Sequence, residues 1–220
     1  MEQIMDIILF LHAFSGGISL VAGMIAIFAA KGKKLHNTSG VIYYWGMMAV
    51  VVTGLILGFY RTNIFILTIA VFSFYMVFSG RRTLLFKKQL KPIFKDWFFN
   101  ILCLLCGLFM LYLGISNLLR IGFAGAVPML LVFGFFLSWM CVDDLKLFSK
   151  KKYQKGQWLL THIGRISGSY IATSTAFLVT NIHWEPQWIV WLLPTAVGTP
   201  LITLATRNWK RKFGLIKQSN

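Results

Sequence analysis

The sequence predicts an all-α, polytopic membrane protein: a bundle of seven transmembrane helices forming one domain over residues 1–220, N-terminus outside and C-terminus in the cytoplasm. Three observations predict it. Of the 220 residues, 57% are hydrophobic and only 13% charged, against roughly 45–50% and about 25% in soluble domains; that excess needs lipid to cover it. The apolar residues gather in runs near the roughly 20 residues that carry a helix across a hydrocarbon core. The basic residues fall in alternate gaps between those runs, as retention of Lys and Arg on the cytoplasmic side requires.

At the head of the first run, near 5–30, Met1 to Asp6 carries Glu2 and Asp6 and no base. It lacks the basic n-region of a secretory signal, is too long for a signal core, and is expected to stay as a helix. Its His12, Ser15, Gly16, Ser19 and Gly23 recur at the spacing of one helical face. That face is small and polar, suited to close helix contact, and sets His12 about 12 Å below the outer surface. The second run, near 40–60, is opened by His36, Asn37, Thr38, Ser39 and Gly40, with Tyr43 one turn on. Any of Asn37, Thr38 and Ser39 is suited to cap it.

The third run, near 64–80, is expected to face mostly lipid. In the gap after it, Leu84, Leu85, Phe86, Leu90, Ile93, Phe94 and Trp97 mix with Arg81, Arg82, Lys87, Lys88, Lys91 and Lys95. This reads as an interfacial helix on anionic lipid headgroups. The fourth run, near 97–119, holds Cys103 and Cys106, and the fifth, near 123–142, holds Cys141. Three cysteines inside apolar runs imply no disulfide framework and read as packing residues. Asp143 and Asp144 close the fifth run, where the negative end of the helix dipole disfavours them. They are expected to find partners in Arg165, His36 and His162, a polar cluster at the cytoplasmic end of the second, fifth and sixth helices.

The sixth run, near 158–181, carries most of the chemistry. His162, Arg165, Ser169, Thr173, Ala176 and Thr180 form one stripe, and Gly164, Gly168 and Ala172 form a small-residue stripe for tight contact. His162 and Arg165 are expected one to two turns inside the cytoplasmic leaflet. The seventh run lies near 187–206. Apart from Arg61, Arg120 and Arg165, every Lys and Arg falls in the first, third or fifth gap or in the C-terminal tail. An odd number of crossings with that alternation gives the N-out, C-in orientation.

The formal charge of +16 therefore reports topology. It does not mark a nucleic-acid binder, whose bases lie on folded polar surface. The partners implied are the bilayer and anionic headgroups at the cytoplasmic face, with an oligomer or partner subunit compatible. Ionisable groups at membrane depth are costly and mark sites. His36 and His162, with Arg165 beside them, are the proposed cofactor-binding residues, a histidine pair able to grip the iron of haem b axially. Histidine with aspartate also suits a transition metal, with His12, His36, His162, Asp143 and Asp144 as the ligand set. The same residues suit a proton relay in a small-solute transporter, and a non-catalytic helper subunit is a third reading. A second haem between His12 and His183 is disfavoured, since His183 lies about 31 Å beyond His162. Buried-zinc hydrolase chemistry would need an H-x-x-x-H repeat, and nucleotide binding a glycine-rich loop; the chain has neither.

His12 with its glycine-rich face, the run Lys31 to Tyr43 with His36-x-x-x-Gly40-x-x-Tyr43, the Ser79-Gly80-Arg81-Arg82 helix end, and Trp158 through Asn181 together resemble a family of bacterial multispanning membrane proteins of undetermined activity. The run Thr161-His162-Ile163-Gly164-Arg165 followed by Gly168-Ser169-Tyr170-Ile171-Ala172 is the most specific part. Asn37 stands where members commonly carry arginine. The resemblance implies the same helical fold in the bacterial cytoplasmic (inner) membrane and importance for His12, His36 and His162; it implies no activity.

Overall fold

The computed structural model describes residues 2–88, 91–150, 155–185 and 188–216. Leu90, Lys151, Lys152 and Lys217, part of the interfacial and charge patterns above, lie outside them. Among the described residues there is no strand, and the order is α1 (Glu2–Phe28), α2 (Lys34–Tyr60), α3 (Ile64–Arg82), α4 (Phe94–Ile121), α5 (Val127–Phe148), α6 (Gln157–Asn181) and α7 (Trp188–Lys212). Six of these helices are long and apolar enough to cross a membrane. The exception is α6, of comparable length at 25 residues, whose histidine, arginine and hydroxyls lower its hydropathy.

The helices overrun the apolar runs, because flanking polar residues still complete the backbone ladder. Thus α2 starts at Lys34, which puts Asn37, Thr38 and Ser39 inside it rather than at its cap. The Ser39 hydroxyl donates instead to Leu35 O at 2.7 Å. Likewise α5 continues to Phe148, so Asp143 and Asp144 lie within its last two turns. At the head of α3, Asn63 Oδ1 accepts the amides of Phe65 and Ile66 at 3.0 and 3.2 Å, satisfying two orphan donors. At the head of α4, the Asp96 carboxylate accepts the Ile93 amide at 2.9 Å.

The segment read as an interfacial helix is something else. Thr83–Lys88 is a 3-10 turn that continues α3 directly, and Thr83 and Phe86 are buried in it. It packs on α6, with Lys87 Nζ 5.4 Å from the Trp158 ring centroid. Phe86 finds protein rather than lipid.

The chain gathers into two compact units. One comprises Met1–Ser15, Gly46–Tyr75 and Lys91–Lys151; the other Gly16–Trp45, Met76–Leu90 and Lys152–Asn220. In the first, α4 and α5 meet backbone to backbone. A Cβ on Gly107 would lie 3.1 Å from Ser138 N and 3.2 Å from Gly134 O, and one on Gly134 3.0 Å from Gly107 O. Phe72 and Phe133 pack edge to face at 4.8 Å, as do Phe74 and Phe99 at 5.1 Å. The expectation that the third run faces lipid is corrected here. Half of the Ile64–Lys88 apolar window is buried, against 17% for α1 and 6% for α7, and Thr68, Ala70, Phe72, Ser73 and Tyr75 are all buried. Small and hydroxyl side chains on α3 admit close neighbours, which the mean hydropathy of the run conceals.

In the second unit α6 packs on α7, and the small-residue contacts are the reverse of those expected. Gly164 is exposed with nothing near it, and Gly168 meets only the tip of Met76. The glycines that matter sit on the neighbours. Gly23 lies under the Tyr170 ring, Gly80 under Arg165 and Ile166, and Gly198 under Ile171. Thus α6 supplies the bulk and α1, α3 and α7 the hollows, and Arg165, Ser169 and Thr173 of the predicted polar stripe are buried.

Candidate histidine site at the ends of two helices

His36 and His162 both belong to the second unit, each half-buried and each bound to the end of another helix. His36, in the first turn of α2, places Nδ1 2.9 Å from Ala26 O. His162, in the second turn of α6, places Nδ1 2.8 Å from Gly80 O. Ala26 and Gly80 fall in the last turns of α1 and α3, where the helical ladder runs out and carbonyls need outside donors. A carbonyl only accepts, so each imidazole carries a proton on Nδ1, which in the neutral ring leaves the lone pair on Nε2.

Each anchoring carbonyl has a second donor. Ala26 O also accepts from Lys31 Nζ at 3.0 Å; the ammonium reaches Ala29 O at 3.3 Å and Ile27 O as well. Partial burial there pulls the Lys31 pKa below its ordinary value. Gly80 O also accepts from the Thr83 hydroxyl at 2.9 Å. Beside Gly80, Ser79 Oγ takes a 2.5 Å bond from Arg165 Nη1, which holds the buried guanidinium at the same helix end. Further along α6, the Ser169 hydroxyl donates to Ile166 O at 2.8 Å and so accepts from Tyr43 OH at 2.7 Å. Tyr170 OH donates to Leu20 O at 3.1 Å. Arg81 stacks its guanidinium 4.3 Å from the Tyr44 ring centroid.

His12 belongs to the first unit, where its Nδ1 lies 3.0 Å from Thr53 Oγ1. That hydroxyl gives its own proton to Ala49 O at 2.7 Å, so His12 too is protonated on Nδ1. Asp143 is exposed, whereas Asp144 is buried in the first unit. There it accepts from Tyr75 OH at 2.5 Å, and Asn100 Nδ2 donates to the same hydroxyl at 2.5 Å and to Cys141 O at 3.1 Å. His183 sits exposed beyond the end of α6. Among the described residues no group of three or more His, Cys, Asp or Glu is placed to hold a metal ion.

Sequence reasoning missed Tyr75, Asn100, Lys31 and Thr83 as site or network members. Asn100 had a readable signal, a side-chain amide set within an apolar run. Tyr75 had none, standing in an aromatic stretch, and Lys31 and Thr83 work through backbone carbonyls that no side-chain pattern reveals. Comparison with family models, with curated proteins and with solved structures finds no match for this chain.

Proposed function

We propose that the chain is a seven-crossing protein of the bacterial inner membrane, N-out and C-in, whose His36 and His162 hold a b-type haem for electron transfer in the membrane. The observation that carries this reading is the shared geometry of the two imidazoles. Both have Nδ1–H committed to a helix-end carbonyl, which in the neutral ring leaves Nε2 as the lone pair. This is the arrangement that orients a ligating histidine and raises its basicity. The donor set fits haem better than a bare ion: two imidazoles complete an iron already held by its macrocycle, whereas an ion alone needs more ligands than this pair supplies. Haem would bring reversible one-electron chemistry. The protein's part would be to fix both imidazoles through their bonds to Ala26 O and Gly80 O, with the buried Arg165 as the cation on the same helix as His162.

The test is the absorption spectrum of protein purified from haem-replete cells. A Soret band with sharp reduced α and β bands is expected, abolished or broadened by His162→Ala or His36→Ala and retained in His183→Ala. A colourless, stable preparation overturns the reading. The second reading, a proton-coupled transporter of a small solute, draws support from the buried hydroxyls of Ser169 and Thr173 on α6 and of Tyr43 on α2, which bonds Ser169. Proton uptake by liposomes carrying the colourless protein would then favour it.

A further inference from the structure

Two lysines of the second unit are held over tryptophan rings where three of its helices begin or end. Lys87, in the 3-10 turn after α3, sets Nζ 5.4 Å from the ring centroid of Trp158 in the first turn of α6. Lys212, the last residue of α7, sets Nζ 4.7 Å from the Trp209 centroid. Trp209 packs on Phe213, centroids 5.8 Å apart. Phe213 in turn covers the left-handed Gly156, where a Cβ would meet its ring at 2.4 Å. Gly156 is the N-cap of α6, two residues before Trp158. A row of rings therefore runs from the turn after α3, across the start of α6, to the end of α7. Lys87 and Lys212 are exposed, and Trp158, Trp209 and Phe213 are half-buried.

Charge here is one-sided. The second unit has a single acid in its sequence, Glu185, which follows the far end of α6. That helix of 25 residues is about 37 Å long, several Debye lengths at physiological salt. Lys88 and Lys155 add exposed bases beside the row in sequence. A ring face attracts an ammonium and orients it, yet leaves its full charge for an anion. Tryptophan at the ends of membrane-crossing helices sits at headgroup depth, where basic residues meet anionic lipid; that depth favours a lipid over a soluble polyanion.

We infer that this row is a binding surface for anionic phospholipid, with Lys87 and Lys212 taking phosphate oxygens and Trp158, Phe213 and Trp209 taking the glycerol and upper acyl region. It narrows the headgroup contact expected along the whole basic side to one surface. It requires that these helices cross a bilayer and does not require haem.

The probe is phosphatidylglycerol, added stepwise at fixed ionic strength to the full-length protein in micelles containing phosphatidylcholine, with thermal unfolding as the readout. The melting temperature is expected to rise and saturate. Lys87→Gln and Lys212→Gln should each weaken the apparent affinity roughly fivefold, the effect of one base near an anionic surface, while Lys87→Arg and Lys212→Arg keep it. Lys33→Gln with Lys34→Gln removes the same charge from exposed positions of the same unit and should leave the response intact. Melting in phosphatidylcholine alone registers any loss of folding separately from affinity. No rise with the anionic lipid, equal weakening by the Lys33 and Lys34 changes, or the same rise with inorganic phosphate at equal concentration overturns the inference. A colourless preparation that keeps the lipid response overturns the haem reading alone.

Discussion

The Tyr75 hydroxyl donates to Asp144 Oδ2 at 2.5 Å while accepting from Asn100 Nδ2 at the same distance, so one phenol on α3 ties α5 to α4. All three side chains are at most 2% exposed. Burying a carboxylate without donors is costly, and this phenol is one of the donors that make Asp144 tolerable where it lies. Tyr75→Phe keeps the ring packing and removes only the oxygen. It should destabilise the protein by about 2 to 3 kcal/mol, the range for a hydrogen bond to a charged group whose loss strands a buried partner. Asp144→Asn, which can still accept from Tyr75, should cost less. Unfolding titrations in mixed micelles compare the two; equal losses would mean the hydroxyl contributes nothing particular.

Glycine substitutions should separate backbone contacts from side-chain contacts. Gly107→Ala drives a methyl against Ser138 N and Gly134 O, which cannot give way without parting α4 from α5. Gly168→Ala meets only the flexible end of Met76. Overpacking of the first kind costs about 1 to 3 kcal/mol, while the second should lie near zero. Recovery of both variants at wild-type yield and melting temperature would refute the close α4 to α5 approach. Gly168→Leu asks more of Met76 and should fall between them.

Asn63→Ala removes both side-chain bonds at the head of α3. The expected loss is about 1 kcal/mol, and Asn63→Asp or Asn63→Ser should recover most of it. Thermal unfolding of the purified variants measures it.

Orientation can be checked on intact cells. In a background lacking Cys103, Cys106 and Cys141, a cysteine at Gln3 should react with an impermeant maleimide and one at Leu215 should not, because the bases cluster in alternate gaps and the tail. Labelling at Leu215 alone would invert the topology.

Much of the fold was legible because it depends on run length. Each apolar run became a helix, since about 20 apolar residues in water have few other fates. Which helix is buried was not legible: α3 and α7 read alike in hydropathy, yet Thr68, Ser73 and Ser79 give α3 a close-packed side while Pro194 and Pro200 sit in a mostly exposed α7. On α6 the polar stripe was readable from its 3.6-residue period, and Arg165, Ser169 and Thr173 did turn inward. The small-residue stripe misled, because small residues show that contact is permitted and not where a partner stands. Asp143 and Asp144 were expected to pair with Arg165, His36 and His162; Asp143 is exposed, and Asp144 is buried with Tyr75 as a donor. Tyr75 was not foreseen, as its hydroxyl lies in a run whose other members differ from it only by hydrophobicity.

The bond from His162 to Gly80 O joins residues 82 apart in sequence, whereas His36 reaches Ala26 O across only 10. During synthesis, at roughly 5 to 20 residues per second, the His36 anchor is within reach as soon as α2 emerges. The end of α3 must then wait, its Gly80 carbonyl without this histidine, while the α4 and α5 hairpin is made and closes on Gly107 and Gly134. The second anchor forms only when α6 arrives, so a chain truncated or stalled before residue 162 would hold the bond from His36 to Ala26 O and leave Gly80 O without His162.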